Sequence, residues 1–113
     1  MADNPRPSMY QAEYVADVAN DTEDREKEKV TIAGRFCESG DILIKDITLP
    51  KLETGDTLCV YNTGAYNYSM ASNYNRVEKS AMVLVKDGKS DIIVYRETLD
   101  DLISHDVIPD RLK

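Results

Sequence analysis

A mainly β fold, a small antiparallel β-barrel or sandwich carrying short helices, is predicted by three observations. Short apolar runs recur at near-regular spacing between turn residues, about six in all. The stretch SAMVLVKDGKSDIIVYRE (80–97) sets two of these runs on either side of Asp87-Gly88, a dipeptide that favours a tight hairpin. Clear helical periodicity is confined to TLDDLISHDV (98–107), near the C-terminus, which opens with a capping-box pattern at Thr98 and Asp101.

Taken in order, residues 1–12, MADNPRPSMYQA, hold two prolines and no periodicity, and read as an irregular lead-in. YVADV (14–18) alternates weakly, as a strand would. NDTEDREKEK (20–29) is almost wholly charged and reads as a solvated loop or hairpin tip. VTIAGRF (30–36) is β-rich and runs into the loop FCESGD (36–41). ILIKDITLP (42–50) reads as a mostly buried strand that Pro50 stops. A Gly55-Asp56 turn then precedes the apolar run Leu58–Tyr61. In the terminal helix Leu99, Leu102, Ile103 and Val107 share one face, and Pro109 ends it. Several strands are apolar on both faces, which implies cover from outside this chain.

The chain has 113 residues, enough for one domain with a modest core. A formal charge of -7 argues against an electrostatic grip on nucleic acid or on an anionic membrane. No apolar run is long enough to span a bilayer, and MADNPRPSMYQ has no secretory pattern, so a cytoplasmic location is expected. Two cysteines without a C-x-x-C spacing and a single histidine, His105, offer no zinc site, and no metal is expected.

Three stretches hold groups suited to chemistry. Cys59, between Leu58 and Val60, reads as a small buried hydrophobe. Cys37 stands instead between Phe36 and Glu38 at a strand-to-loop boundary, where reactive groups concentrate. A neighbouring carboxylate disfavours a thiolate, so Cys37 suits giving a proton better than attacking as an anion. Glu38 is either a solvated turn residue or the partner of a ligand ammonium. Ser39-Gly40-Asp41 reads as turn chemistry. GAYNYSMASNYN (64–75) sets Tyr66, Tyr68 and Tyr74 among small residues, as a packed loop or helical turn, a ligand-facing segment or a wet interface would. Arg6, ahead of Pro7 and Tyr10, is either a surface arginine or a two-pronged clamp for a carboxylate.

Together, and in this order, MADNPRPSMY, CESGD, a Gly-Asp turn, GAYNYSMASNYN and a late RET resemble the C-terminal portion of the diaminopimelate decarboxylases. These are pyridoxal-phosphate enzymes of the alanine-racemase fold type, and the resemblance runs from Met1 to about Leu102. It implies that residues 1–113 are a C-terminal β-domain whose partner is an N-terminal (β/α)₈ barrel holding the cofactor. Family members convert meso-2,6-diaminopimelate to L-lysine and CO₂ and act as homodimers. By resemblance, Cys37 is the acid that reprotonates the α-carbon, and its loop enters the partner protomer's site. Glu38 meets the distal ammonium of the substrate, and Arg6 and Tyr10 hold its distal carboxylate. Tyr66 borders the substrate and reaches the cofactor phosphate. None of Lys27, Lys29, Lys45, Lys51, Lys79, Lys86 or Lys89 stands in the context of the Schiff-base lysine, so the chain alone is expected to be inactive. Val77-Glu78-Lys79 replaces a Pro-Arg-Pro-like segment of the family. The competing expectation is a non-catalytic module that dimerises, or docks on a related decarboxylase and regulates it.

Overall fold

The computed structural model describes residues 1–20 and 22–113. Asp21, inside the charged stretch expected to form a solvated loop, lies outside the described residues. The chain packs as two compact units, one of Met1 and residues 3–71 and one of Ala2 and residues 72–113.

The first unit contains α1 (Arg6–Tyr10), β1 (Ala16–Val18), β2 (Lys27–Ala33), β3 (Ile42–Pro50), β4 (Leu58–Val60) and α2 (Gly64–Met70). Helix α1 corrects the irregular lead-in. One turn is too short to display a 3.6-residue period, and Pro7 costs nothing in a first turn that needs no amide donor. Gln11, in the left-handed region at φ 54°, stops the helix.

Strand β1 pairs antiparallel with β4, Val18 opposite Leu58. β2 pairs antiparallel with β3 from Lys27 opposite Pro50 to Ala33 opposite Ile42. The charged stretch therefore ends inside a strand: Lys27, Glu28 and Lys29 form the exposed start of β2. β3 runs over the expected residues and Pro50 is its last. The β2–β3 register slips around Ile32, and Asp46 takes a φ of 54°, a left-handed conformation that aspartate tolerates.

Among the described residues, Val18, Ile44 and Leu49 are the buried apolar side chains of this unit, with Leu49 only 2% exposed. So small a core makes each member matter. Leu49→Ala should cost about 2–4 kcal/mol, read by urea unfolding; a loss below about 1 kcal/mol would show that Leu49 is not the centre of the core. Cys59 departs from its expected burial and is exposed, because along β4 its neighbours turn inward and it turns outward.

Arg25 ties the charged stretch to the Gly55-Asp56 turn. Its guanidinium donates to the Asp56 carboxylate at 2.6 Å and to the Lys51 carbonyl at 3.3 Å. The Arg25 hydrogen bond, with one from the Glu53 amide, holds the Asp56 carboxyl below its usual range. A carboxyl held low in the fold adds stability above its unfolded value, about 3.9, and loses it as pH falls through the folded value. Tm should thus stay level from pH 7 to 5 and drop below about pH 4, with a shallower drop in Asp56→Asn. An identical acid profile in that variant would refute the assignment.

The second unit contains β5 (Met82–Lys86), β6 (Lys89–Val94) and α3 (Leu99–Ile103), with short 3₁₀ turns at Tyr74–Arg76 and Asp110–Leu112. The β5–β6 hairpin turns on Asp87 and Gly88, both at positive φ (50° and 71°), as a type I′ turn requires. Thr98 and Asp101 form the expected capping box on α3. The helix ends at Ile103, short of the expected apolar face, and Val107 is 83% exposed beyond it. Glu97 accepts from the Asn73 amide group and from the Lys79 N–H at 2.8 Å, so it anchors the atypical Val77-Glu78-Lys79 segment. Val83, Leu84, Val85, Ile92 and Ile93 are all at least half exposed on this hairpin.

The fold is mainly β with a few short helices, as expected. Its described strands pair as three two-stranded antiparallel ladders.

Candidate active site

Arg6, Tyr10, Cys37, Glu38, Tyr66 and Tyr68 all lie in the first unit, and Tyr74 lies in the second. Cys37 and Glu38 stand in the connection between β2 and β3, and both are exposed. The connection is closed on itself. Gly34 N–H donates to the Asp41 carbonyl at 2.8 Å, and Asp41 N–H donates to the Glu38 carbonyl at 3.0 Å. Glu38 N–H donates to the Phe36 carbonyl at 2.8 Å, a tight turn that throws Cys37 outward. One carboxylate oxygen of Glu38 accepts from Gly40 N–H at 3.0 Å and from the Ser39 hydroxyl at 3.3 Å.

Beneath this turn lies Asp41, 3% exposed. One of its oxygens accepts from Phe36 N–H at 2.9 Å, and the other accepts from the Met1 amino group. Burial pushes the Asp41 carboxyl up, but these hydrogen bonds outweigh it and hold the group below its usual range. Reading Ser39-Gly40-Asp41 as turn chemistry was correct for the backbone and missed this buried anchor. The pattern that could have found it is an aspartate closing a Gly-to-Asp loop between two strands. Gly34 belongs to the same device, since a Cβ there would overlap the Asp41 carboxylate. Gly34→Ala should therefore destabilise the unit by about 1–3 kcal/mol and loosen the loop, measured by thermal unfolding. An unchanged Tm would show that the carboxylate can step aside.

Helix α1 packs beside β3. A Cβ on Gly40 would stand 2.9 Å from the Ser8 hydroxyl, so glycine lets α1 approach the Cys37–Glu38 loop closely. Arg6 and Tyr10 sit four residues apart on this helix, on one side of it. The Arg6 guanidinium lies over the Tyr66 ring, 5.6 Å from its centroid, and donates to the Tyr14 hydroxyl at 3.3 Å. Tyr66, on α2, is 66% exposed and Tyr10 62% exposed. Tyr14 was read only as part of a strand. What places it in the site is spacing in space, which a single chain of letters does not display. A cleft of about 680 Å³ runs between α1 and β3, lined among others by Ser8, Gln11, Tyr14, Ser39 and Lys45. The structure thus brings Arg6, Tyr66 and Tyr14 together and sets α1 against the Cys37 loop. Among the described residues, no hydrogen bond joins Cys37 or Glu38 to Arg6, Tyr10 or Tyr66.

Such a surface holds a thiol, a carboxylate, a guanidinium and three phenols, largely open to solvent. Residues 1–64 match the family described as the pyridoxal-dependent decarboxylase, C-terminal sheet domain. The chain belongs to this family. Within it, the chain is 54% identical over 112 residues to a diaminopimelate decarboxylase of Synechocystis, and 50% identical over 107 residues to one of Bacillus subtilis. These matches cover 99% and 95% of this chain but only 24% of either relative. Among solved structures, the diaminopimelate decarboxylase of M. jannaschii superposes with a TM-score of 0.92 at 42% identity, over 100% of this chain and 26% of that one. The enzyme of Helicobacter pylori, complexed with L-lysine, gives 0.84 at 38%, over 92% and 25%. As a sheet domain of the pyridoxal-dependent decarboxylases, the chain thus spans about a quarter of the length of its relatives. Among the described residues no cluster of metal-ligating side chains occurs, and no helix is long and apolar enough to cross a membrane.

Proposed function

We propose that this chain is the C-terminal β-domain of a diaminopimelate decarboxylase, with residues 1–113 as one functional domain, converting meso-2,6-diaminopimelate to L-lysine and CO₂. The observation that carries the reading is the pairing of an exposed Cys37 and Glu38 on a tightly bonded loop with an adjacent helix bearing Arg6. Relatives bearing that name at 54% and 50% identity support it.

In this reading Cys37 delivers a proton to the α-carbon after CO₂ leaves. Glu38 holds the distal ammonium, and Arg6 with Tyr10 holds the distal carboxylate through charge-assisted hydrogen bonds. The second carboxylate is what separates this substrate from ornithine, arginine or carboxynorspermidine, which need no such clamp. Pyridoxal phosphate supplies an electron sink when bound. The residues present fit one end of it: Tyr66 is exposed, and its hydroxyl can donate to a phosphate oxygen. The sink itself is anchored on the (β/α)₈ barrel of the longer enzyme, so this chain alone is inactive.

Exposure of Cys37, Glu38, Tyr10 and Tyr66 is what a site completed by another surface requires. The uncovered apolar hairpin β5–β6 supports the same conclusion. In the complete enzyme we place the ladders in a small barrel or sandwich, the protein in a homodimer, and the homodimer in the cytoplasm. That same apolar hairpin also favours the second reading, a non-catalytic module that docks on a related decarboxylase.

Mixing the chain with a separately expressed, cofactor-loaded barrel domain separates the two. Lysine formation that neither part shows alone, and that Glu38→Ala removes, supports a catalytic domain. Binding without lysine formation, or formation indifferent to both Cys37→Ala and Glu38→Ala, supports docking alone.

A further inference from the structure

We propose that Asp41 is a positioning residue for this reaction: a buried carboxylate that never meets substrate determines where Cys37 and Glu38 stand. The inference rests on the function proposed above. Residues 37–39 are exposed, so no apolar core holds them in place. What holds them is the polar device below. The Asp41 side chain takes the Phe36 N–H at 2.9 Å, one residue before the thiol. Its backbone takes Gly34 N–H at 2.8 Å and gives to the Glu38 carbonyl at 3.0 Å, one residue after the thiol. Cys37 is therefore bracketed by two groups that share a single anchor, and that anchor is 3% exposed.

Removing the carboxylate leaves the Phe36 N–H without this acceptor and frees the turn to sample other conformations. A proton donor works only within about 3 Å of the atom it serves. Misplacement by about 1 Å can cost roughly 10²-fold in rate. A loosened Glu38 would raise KM as well. Asparagine has the right shape but presents one carbonyl oxygen where aspartate presents two acceptors, so it restores part of the device.

The test is made on the chain reconstituted with its cofactor-bearing barrel domain. Asp41→Ala should lower kcat about 10- to 100-fold and enlarge the solvent deuterium isotope effect on kcat, because proton delivery becomes the slow step. Asp41→Asn should fall between alanine and the unsubstituted protein in both. A folded Asp41→Ala protein with unchanged kcat and isotope effect overturns the proposal, as does a lowered kcat with an unchanged isotope effect, which marks mere loss of folded protein. Independently of any variant, the Phe36 amide of the unsubstituted chain should exchange with solvent at least about 100-fold more slowly than in an unstructured peptide. Exchange at the peptide rate overturns the proposal even if Asp41→Ala fails to fold. If Cys37→Ala were itself harmless, the function proposed above would fail while Phe36 protection stood. If Cys37→Ala were damaging and a folded Asp41→Ala were not, only the present inference would fail.

Discussion

Cys37→Ala should lower kcat of the reconstituted enzyme by about 10²–10⁴-fold while KM changes only a few-fold. Alanine keeps the loop and removes only the transferable proton. Nothing in the loop's hydrogen bonding depends on the sulfur: every bond described there runs through the backbone or through Glu38, Ser39 and Asp41. The effect should therefore be confined to the chemical step, with no change in Tm. Cys59→Ala is the matched control, since that thiol is also exposed but lies on β4. Steady-state lysine formation checks both, and equal losses in the two variants would remove Cys37 from its role.

The second large effect is on recognition. Arg6→Lys should weaken binding of a dicarboxylate ligand by about 10- to 100-fold in the reconstituted enzyme and barely alter binding of a basic monocarboxylate such as L-lysine. Lysine keeps the charge but loses the planar fork that matches a carboxylate with two parallel hydrogen bonds. It also loses the flat face that lies against Tyr66 and the donor that reaches Tyr14. Calorimetric titration with meso-diaminopimelate and with L-lysine checks the difference. Equal weakening of both ligands would mean that Arg6 supports the fold of the site rather than selecting the second carboxylate.

Local elements were legible where a short-range rule decides the backbone. Asp87-Gly88 allowed only one kind of hairpin, and Thr98 with Asp101 closed a capping box as their spacing demands. Helix α1 was not legible, because a single turn has no period to detect and two prolines hide it. The charged start of β2 was misread for a related reason. Lys27, Glu28 and Lys29 are strand residues by virtue of pairing with Thr48, Leu49 and Pro50, far away in sequence. The exposed Cys59 shows that apolar neighbours do not imply burial when a strand alternates.

For the proposed site, Cys37, Glu38, Arg6, Tyr10 and Tyr66 were legible in the order of motifs. Their surroundings were not. Asp41 looked like a turn residue, although the turn is built on its buried carboxylate. Tyr14 looked like a strand residue, although its hydroxyl accepts from Arg6. Both roles depend on which donors the fold brings within reach, and that information is spread over distant parts of the chain.

The most direct measurement is a crystal structure of this chain assembled with its cofactor-bearing barrel domain and L-lysine. The account predicts that the Cys37 thiol stands within about 4 Å of the ligand's α-carbon, on a cleft shared with Glu38, Arg6 and Tyr66. A complex in which the Cys37–Glu38 loop faces bulk solvent, on the side away from the bound lysine, would contradict it.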